Sequence, residues 1–164
     1  MIKPVTTSFE IEMTANLARK IWNQHYVPII GQAQVDYMVE KFQSPITISE
    51  QIKKGHEYFL SYHQELPCGY LALVTNQEEN KIMISKIYVD AEFRGLNLGT
   101  ELLDFAVQKA NDNDCKLLWL TVNKNNYNTI LWYEKRGFKI KEKVEMDIGN
   151  GFVMDDYVME KILD

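Results

Sequence analysis

The chain is expected to fold as an α/β domain of the mixed α+β kind, a central sheet of about seven strands with flanking helices. Three observations predict this. Apolar residues before about residue 55 recur at helical spacing, whereas the stretch from Glu57 to Asp90 holds three strand-like runs joined by short polar loops. Between Lys86 and Ala110 an apolar strand passes through FRGLNLGT into a helical pattern, and a further apolar run, KLLWLTV, follows. A strand, a helix and a strand joined over that length form a parallel, right-handed crossover. With 164 residues, 46% of them hydrophobic, the chain has the length and apolar content of one domain spanning 1–164. No internal repeat, low-complexity segment or linker divides it.

The elements follow in order. Ile2 to Val5 reads as a short edge strand. Thr7 with Glu10 three residues later is a capping box that opens a helix through about Trp22, with Ile11, Ala15, Ala18 and Trp22 as its apolar face and Leu17 and Ile21 beside it. Pro28 and Gly31 break the pattern. Val35, Met38, Val39 and Phe42 resume it, and a short piece around Ser49 to Lys54 closes at Gly55. EYFLSYH, CGYLALVT and KIMISKIYVD are the next three strands, in antiparallel order. The third is irregular: Ile82 and Ile84 alternate, then Ile87 and Val89, so the apolar letters slip by one across Ser85 and Lys86. Either a bulge absorbs the extra residue, or the strand is buried on both faces near its end. From Leu98 a helix shows the stripe Leu98, Leu102, Ala106 and Ala110, opposite Glu101, Asp104, Gln108 and Asp112. KLLWLTV lacks alternation, as an interior strand covered on both faces does. Asn126 to Arg136 is a helix stopped at Gly137, and two strands joined through DIGNG end the chain.

Charge and composition narrow the function. A net charge of −5 argues against a sequence-independent nucleic-acid binder and mildly favours a cationic partner. Two cysteines and three histidines show no metal-ligand spacing, so neither a metal site nor a disulfide framework is expected, and the cysteines read as small buried residues in a reducing compartment. No apolar run is long enough to span a bilayer, and the N-terminus lacks a signal-peptide core. A cytoplasmic location without membrane contact is expected.

The informative feature is the turn. The helix starting near Leu98 has backbone N–H groups without intrahelical partners and the positive end of its dipole there. Gly95 and Gly99 allow close approach of an anion, and Arg94 adds a forked cation, so a pyrophosphate suits the concavity. Taken alone, a glycine-containing strand-to-helix turn is weak grounds for a site. A P-loop is excluded because no Lys-Thr or Lys-Ser follows the glycine, and a dinucleotide fold because G-x-G-x-x-G is absent.

RGLNLG resembles the coenzyme signature of the GNAT superfamily of acyl-coenzyme A-dependent N-acyltransferases: Gln or Arg, two residues, Gly, one residue, Gly or Ala. Arg94, Asn97 and Gly99 fall on it, Asn97 in place of the usual glycine. Asn tolerates left-handed backbone angles, and its side chain can cap the helix, so the loop geometry is expected to survive. NYNTILWYEKRGF is similar to the second signature, with Asn126, Thr129 in place of alanine, Tyr133, Gly137 and Phe138 in position. The resemblance spans nearly the whole chain and is weakest before Glu57.

That resemblance implies a single N-acetyltransferase domain whose sheet splays between the bulged strand 82–90 and the parallel strand 117–122, with acetyl-CoA in the wedge. The pyrophosphate would lie on the N–H groups of Arg94, Gly95, Leu96, Asn97, Leu98, Gly99 and Thr100. The pantetheine would bond the backbone of Ile87 and Val89, a main-chain N–H of Tyr88 or Val89 would face the thioester carbonyl, and Asn126 would bond the coenzyme. Tyr133 would protonate the departing thiolate as general acid, where without the motif it would read as core packing beside Trp132. Relatives often place a glutamate base at the position held here by Ser85, so deprotonation through water is implied. His25 and Tyr26 lie near the expected acceptor entrance, and Asp155 with Asp156 on the last strand either adds negative potential or forms a solvated face or edge protection. The implied acceptor is a primary amine: a polyamine, another small amine such as an amino sugar, or a protein N-terminus. Dimers are common in the family, so a homodimer is open. A catalytically inactive acyl-CoA-binding sensor or partner module, and an α/β interaction domain without coenzyme, are the competing readings.

Overall fold

A computed structural model describes residues Met1–Asp164. In chain order it contains β1 (Ile2–Pro4), α1 (Ser8–His25), α2 (Val27–Ile30), α3 (Gln32–Phe42), α4 (Pro45–Lys53), β2 (Glu57–His63), β3 (Leu66–Asn76), β4 (Lys81–Val89), a 3₁₀ turn (Ala91–Phe93), α5 (Leu98–Asp112), β5 (Leu117–Asn123), α6 (Tyr127–Lys135), β6 (Lys139–Gly149) and β7 (Phe152–Ile162). The sheet has seven strands in the order β1-β2-β3-β4-β5-β7-β6. It is mixed, because β4 and β5 run parallel while β1 with β2, β2 with β3, β5 with β7, and β6 with β7 are antiparallel. The chain packs as two compact units, Met1–Val74 with Lys86–Ala106, and Thr75–Ser85 with Val107–Asp164.

In the first unit the capping box forms as the letters require. Thr7 Oγ1 accepts from the Glu10 N–H at 3.2 Å, and the Glu10 carboxylate accepts from the Thr7 and Thr6 N–H groups at 2.9 and 3.0 Å. The buried face of α1 holds Thr14, Ala15, Leu17, Ala18, Ile21 and Trp22. Ile11, expected there, is half-buried, and Thr14 takes its place because its hydroxyl bonds the Glu10 carbonyl at 2.8 Å. The interruption expected at Pro28 and Gly31 is present, since α1 ends at His25 and Gly31 separates α2 from α3, and Pro28 itself lies in the first turn of α2, where a missing N–H is no loss. α4 begins earlier than expected, with Ser44 Oγ accepting from the Thr47 N–H at 3.2 Å and Pro45 in its first turn. The β2 to β3 hairpin turns on Gln64 and Glu65, both at positive φ. Trp22 Nε1 donates to the Tyr70 hydroxyl at 3.3 Å, which donates to Gln43 Oε1 at 3.0 Å, so α1, β3 and the end of α3 are joined through a fully buried phenol.

β4 resolves the irregularity in its letters. Burial alternates through Ile82, Ile84 and Lys86, so the apolar pattern slips because a lysine fills an inward position. Lys86 Nζ donates to the Phe42 carbonyl at 2.6 Å, to the Tyr58 hydroxyl, and to Gln51 Oε1 at 3.4 Å, and it lies 5.0 Å from the centroid of the Tyr58 ring. These partners satisfy every proton of an ammonium in a place where an unpaired one would be prohibitive.

In the second unit β4 and β5 pair from Lys81 opposite Leu117 to Met83 opposite Trp119, and β5 pairs with β7 from Leu117 opposite Ile162 to Asn123 opposite Asp156. β5 does alternate in burial, contrary to expectation: Leu118, Leu120 and Val122 are buried, while Leu117, Trp119 and Thr121 are half-exposed and Lys81 Nζ sits 5.5 Å from the Trp119 ring. Apolar letters on the second face answer to that stacking rather than to full cover. The β6 to β7 turn uses Asn150 and Gly151, both at positive φ. Cys68 and Cys115 are free thiols, 0% and 1% exposed. No helix is long and apolar enough to cross a membrane.

Burial pulls the Lys86 pKa down to about 7. A lysine depressed in the folded state leaves the unfolded chain holding more protons between about pH 7 and its ordinary range near 10, so stability rises with pH across that window and the penalty is fully present below it. Wild-type protein should gain roughly 2–4 kcal/mol over this window, and Lys86→Met should lack that gain. Urea unfolding at a series of pH values checks it; parallel pH profiles for the two proteins would refute it.

Candidate functional site

The segment from β4 into α5 is built by backbone angles. Gly95 has φ of 84° and Asn97 φ of 58°, so the chain reverses twice through the left-handed region before α5 starts at Leu98. Asparagine is among the few residues other than glycine that adopt this region readily, which is why the expected loop geometry survives at Asn97. A Cβ built on Gly95 meets nothing within 4 Å, so glycine is needed there for its angle and the space in front of it is open. Arg94, Gly95, Leu96 and Asn97 are all exposed, while Leu98, 5% exposed, plugs α5 into the core. The Asn97 carbonyl accepts from the Glu101 N–H at 3.0 Å, closing the first helical turn. Backbone donors at a helix start and an exposed guanidinium thus occupy one short, open stretch.

Asp90 holds this stretch from below. It is 1% exposed, and its Oδ1 accepts from the Glu92 N–H at 3.0 Å and from Gln24 Nε2 at 3.3 Å. Its Oδ2 pairs with Lys20 Nζ at 2.9 Å, and Lys20 also bonds Glu92. The Gln24 side chain closes the exchange by accepting from the Ala91 N–H at 3.2 Å. Burial pushes the Asp90 carboxyl up, but the bonds from Glu92, Lys20 and Gln24 outweigh it, and its pKa lies below the usual range. The sequence gives no local sign of this anchor, because Lys20 and Gln24 are some 70 residues away on α1.

Ile87, Tyr88 and Val89 are half-buried on β4. The Tyr88 ring lies among Trp22, Tyr26 and Tyr70, at 5.6, 6.1 and 5.4 Å between centroids, which fixes the strand immediately before the turn. Gly69 on β3 is a second requirement the sequence reading missed. A Cβ there would stand 2.8 Å from the Tyr88 carbonyl oxygen and 3.3 Å from Leu102, so only glycine lets β3 lie this close to the Tyr88 backbone. His25 stacks edge-on against Tyr26 at 4.8 Å.

The first unit therefore brings together Ile87 to Val89 and Arg94 to Thr100; Asn126 and Tyr133 belong to the second. Asn126 is 4% exposed at the N-cap of α6, yet its side chain makes no capping bond. Tyr133 is 5% exposed and packs edge-on to Trp132 at 5.2 Å and to Phe138 at 5.3 Å. Gly137, at φ of 94°, turns the chain so that Phe138 can reach that ring. Asp155 and Asp156 part ways. Asp155 pairs with Lys124, whereas Asp156 is buried and its pKa is raised to about 6 by burial, against a hydrogen bond with Thr121 that lowers it. Edge protection does not apply, because β7 lies between β5 and β6.

Gly69→Ala should lower stability by about 1–3 kcal/mol, since its new methyl meets a backbone carbonyl that cannot swing away. Gly95→Ala, with open space but a left-handed angle, should lose only about 1–2 kcal/mol. Urea midpoints of both variants test the distinction, and a neutral Gly69→Ala would refute the close approach.

Comparison with known proteins gives three findings. Residues 18–138 match the profile of the acetyltransferase (GNAT) family. The chain is similar to an uncharacterised N-acetyltransferase of Methanocaldococcus jannaschii, 32% identical over 84 residues, covering 48% of this chain and 37% of that protein. It is also similar to one of Lactobacillus delbrueckii subsp. lactis, 33% identical over 86 residues, covering 49% of each. The aligned part thus spans half or less of the length of these curated relatives. In fold it is similar to PaiA N-acetyltransferase from Thermoplasma acidophilum, solved in complex with coenzyme A, with a TM-score of 0.82, 19% identity, and 99% of each chain covered.

Proposed function

The chain belongs to the acetyltransferase (GNAT) family, and we propose that it transfers an acetyl group from acetyl-CoA to a primary amine by direct attack in a ternary complex. The observation that carries this reading is the exposed double reversal at Gly95 and Asn97, held by Asp90, which opens backbone donors and the Arg94 guanidinium to an anion. A helix start and a forked cation are the kinds of group that suit a diphosphate. The structurally similar PaiA enzyme binds coenzyme A, which supports the same ligand class here.

Bound acetyl-CoA supplies the activated acetyl thioester. Backbone N–H groups from Gly95 through Thr100 and the Arg94 side chain hold its diphosphate, the Arg94 N–H itself donating to the Ala91 carbonyl at 3.4 Å, while Ile87 and Val89 bond its extended arm as in strand addition, and Asn126 adds a polar contact. The N–H of Tyr88 or Val89 donates to the acyl oxygen as negative charge grows there. Tyr133 keeps a phenolic proton and gives it to the leaving sulfur; its assignment rests on its place in the second motif. Ser85 is no base by itself, so the acceptor ammonium loses its proton to water. The acidic balance of the chain favours a cationic acceptor, whether polyamine, small amine or protein N-terminus. A cytoplasmic location and a metal-free reaction belong to the same reading.

Acetyl-CoA at a hundred times its dissociation constant should stabilise the protein by about 2.7 kcal/mol, or about 5–10 °C in Tm. No shift at saturation would sink coenzyme binding. A shift without thiol release across an amine panel would instead favour the inactive acyl-CoA-binding reading. Tyr133→Phe should lower kcat by about tenfold to a thousandfold while leaving the acetyl-CoA Kd within a few-fold; unchanged turnover would remove Tyr133 from the mechanism.

A further inference from the structure

Two carboxylates of the chain are buried, Asp90 and Asp156. Asp90 has a lysine, an amide and a backbone N–H as partners. Asp156, 5% exposed, has a hydrogen bond with Thr121 and no cation, because the neighbouring Lys124 is taken up by Asp155. Withdrawing a carboxylate from water without a counter-charge is costly, and a fold that needed only to fill this position would be better served by an apolar side chain.

The place of Asp156 within the second unit accounts for the exception. It stands opposite Asn123, the last residue of β5, and on its other side opposite Val144 of β6. Residues paired directly across a ladder share a face, so Asp156 lies on the face of Thr121 and Asn123, which are half-buried, and not on that of Leu120 and Val122, which are buried. The pairing of β5 with β4 spans Leu117 to Trp119, whereas its pairing with β7 runs on to Asn123. The carboxyl end of a parallel strand is where ligand crevices form in open sheets. From Asn123 the chain turns at once into α6: the Asn126 N–H donates to the Asn123 carbonyl at 3.0 Å, and the Lys124 N–H to the Asp155 carbonyl at 3.1 Å. Asp156 is therefore tied through the backbone to the start of the helix that carries Asn126 and Tyr133. The groups around it are Thr121 and Asn123 from β5 and Val144 with the exposed Glu142 from β6, with Asp155 and its partner Lys124 alongside. Burial, and after it the charge of Asp155, raise its pKa to about 6 against the Thr121 bond, so near neutral pH it is a carboxylate that takes up a proton more readily than an ordinary aspartate does.

We infer that Asp156 is the proton acceptor of the transfer reaction, taking through water the proton that the acceptor ammonium must lose; this rests on the acetyl-transfer reading above. A primary ammonium carries three protons on nitrogen and the product amide keeps one. The first passes to Asp156, whose new O–H bond replaces the broken N–H bond and frees the nitrogen lone pair for the acyl carbon. The second leaves nitrogen as the C–N bond forms and the C–S bond breaks, and it makes good the proton that Tyr133 gives to sulfur. Asp156 then returns its proton to solvent.

Carbon-13 NMR of labelled aspartates in the wild-type chain should show the Asp156 carboxyl titrating near pH 6. Across the amine panel, Asp156→Asn, verified as folded by thermal unfolding, should lose about a hundredfold in kcat at pH 7. The loss should shrink as the pH approaches the pKa of the amine, where the acceptor arrives already neutral. A purely structural role gives a loss of equal size at every pH. That result, an undiminished variant beside an active wild type, or an Asp156 that titrates in the ordinary aspartate range would each overturn the proposal and leave the acetyl-transfer reading intact. A wild type that releases no thiol with any amine would overturn both.

Discussion

α5 can offer the donors of its first turn to a ligand only if the chain leaving β4 reverses direction before Leu98, and that reversal runs through two residues with left-handed backbone angles. Gly95 reaches its angle without strain, and Asn97 is one of the few side chains that reach it at small cost. An arginine at 94 and small residues at 95 and 99 are of little use without that path. The path itself is kept in place by a buried carboxylate, Asp90, whose bonds run both to the turn and back to α1. A flexible, solvated loop would have to order itself on each binding event, whereas this one is ordered in advance.

Behind the turn, β4 is held by groups of opposite character. Tyr88 is fixed by aromatic contacts, and two residues earlier Lys86 brings a charge inward and satisfies it with Phe42, Gln51 and Tyr58. His56 shares that neighbourhood, with its Nδ1 buried without a hydrogen bond and its pKa lowered by burial and by Lys86 and Lys54. One buried amine thus links the end of α3, α4 and β2 to β4. Replacing such a group by an apolar one of similar volume is often neutral or stabilising, so what Lys86 adds to β4 is a set of directional bonds rather than net stability.

Local signals were legible in the letters wherever one residue decides the outcome. Thr7 with Glu10, the glycines at 55 and 137, the apolar stripe of α5 and the left-handed angle at Asn97 all act within a few positions of themselves. The failures share a cause. The place of Lys86 on an inward face, the demand for glycine at 69 and the anchor at Asp90 depend on partners far away in sequence, which no local pattern encodes. The start of α4 was missed for a different reason: proline ends a helix from its interior but suits its first turn, and only the structure places Pro45 in that first turn. Of the candidate site, the order of strand, turn and helix could be read directly, while the roles of Asn126 and Tyr133 came from motif position alone.

The two thiols carry a practical consequence. Cys68 and Cys115 are shut away from solvent, and burial raises the pKa of each, so little thiolate is present near neutral pH and reagents cannot reach it. A disulfide-exchange dye added to the native protein should therefore stay almost colourless. Colour that develops during turnover would then report coenzyme thiol, and colour in its absence would report unfolding.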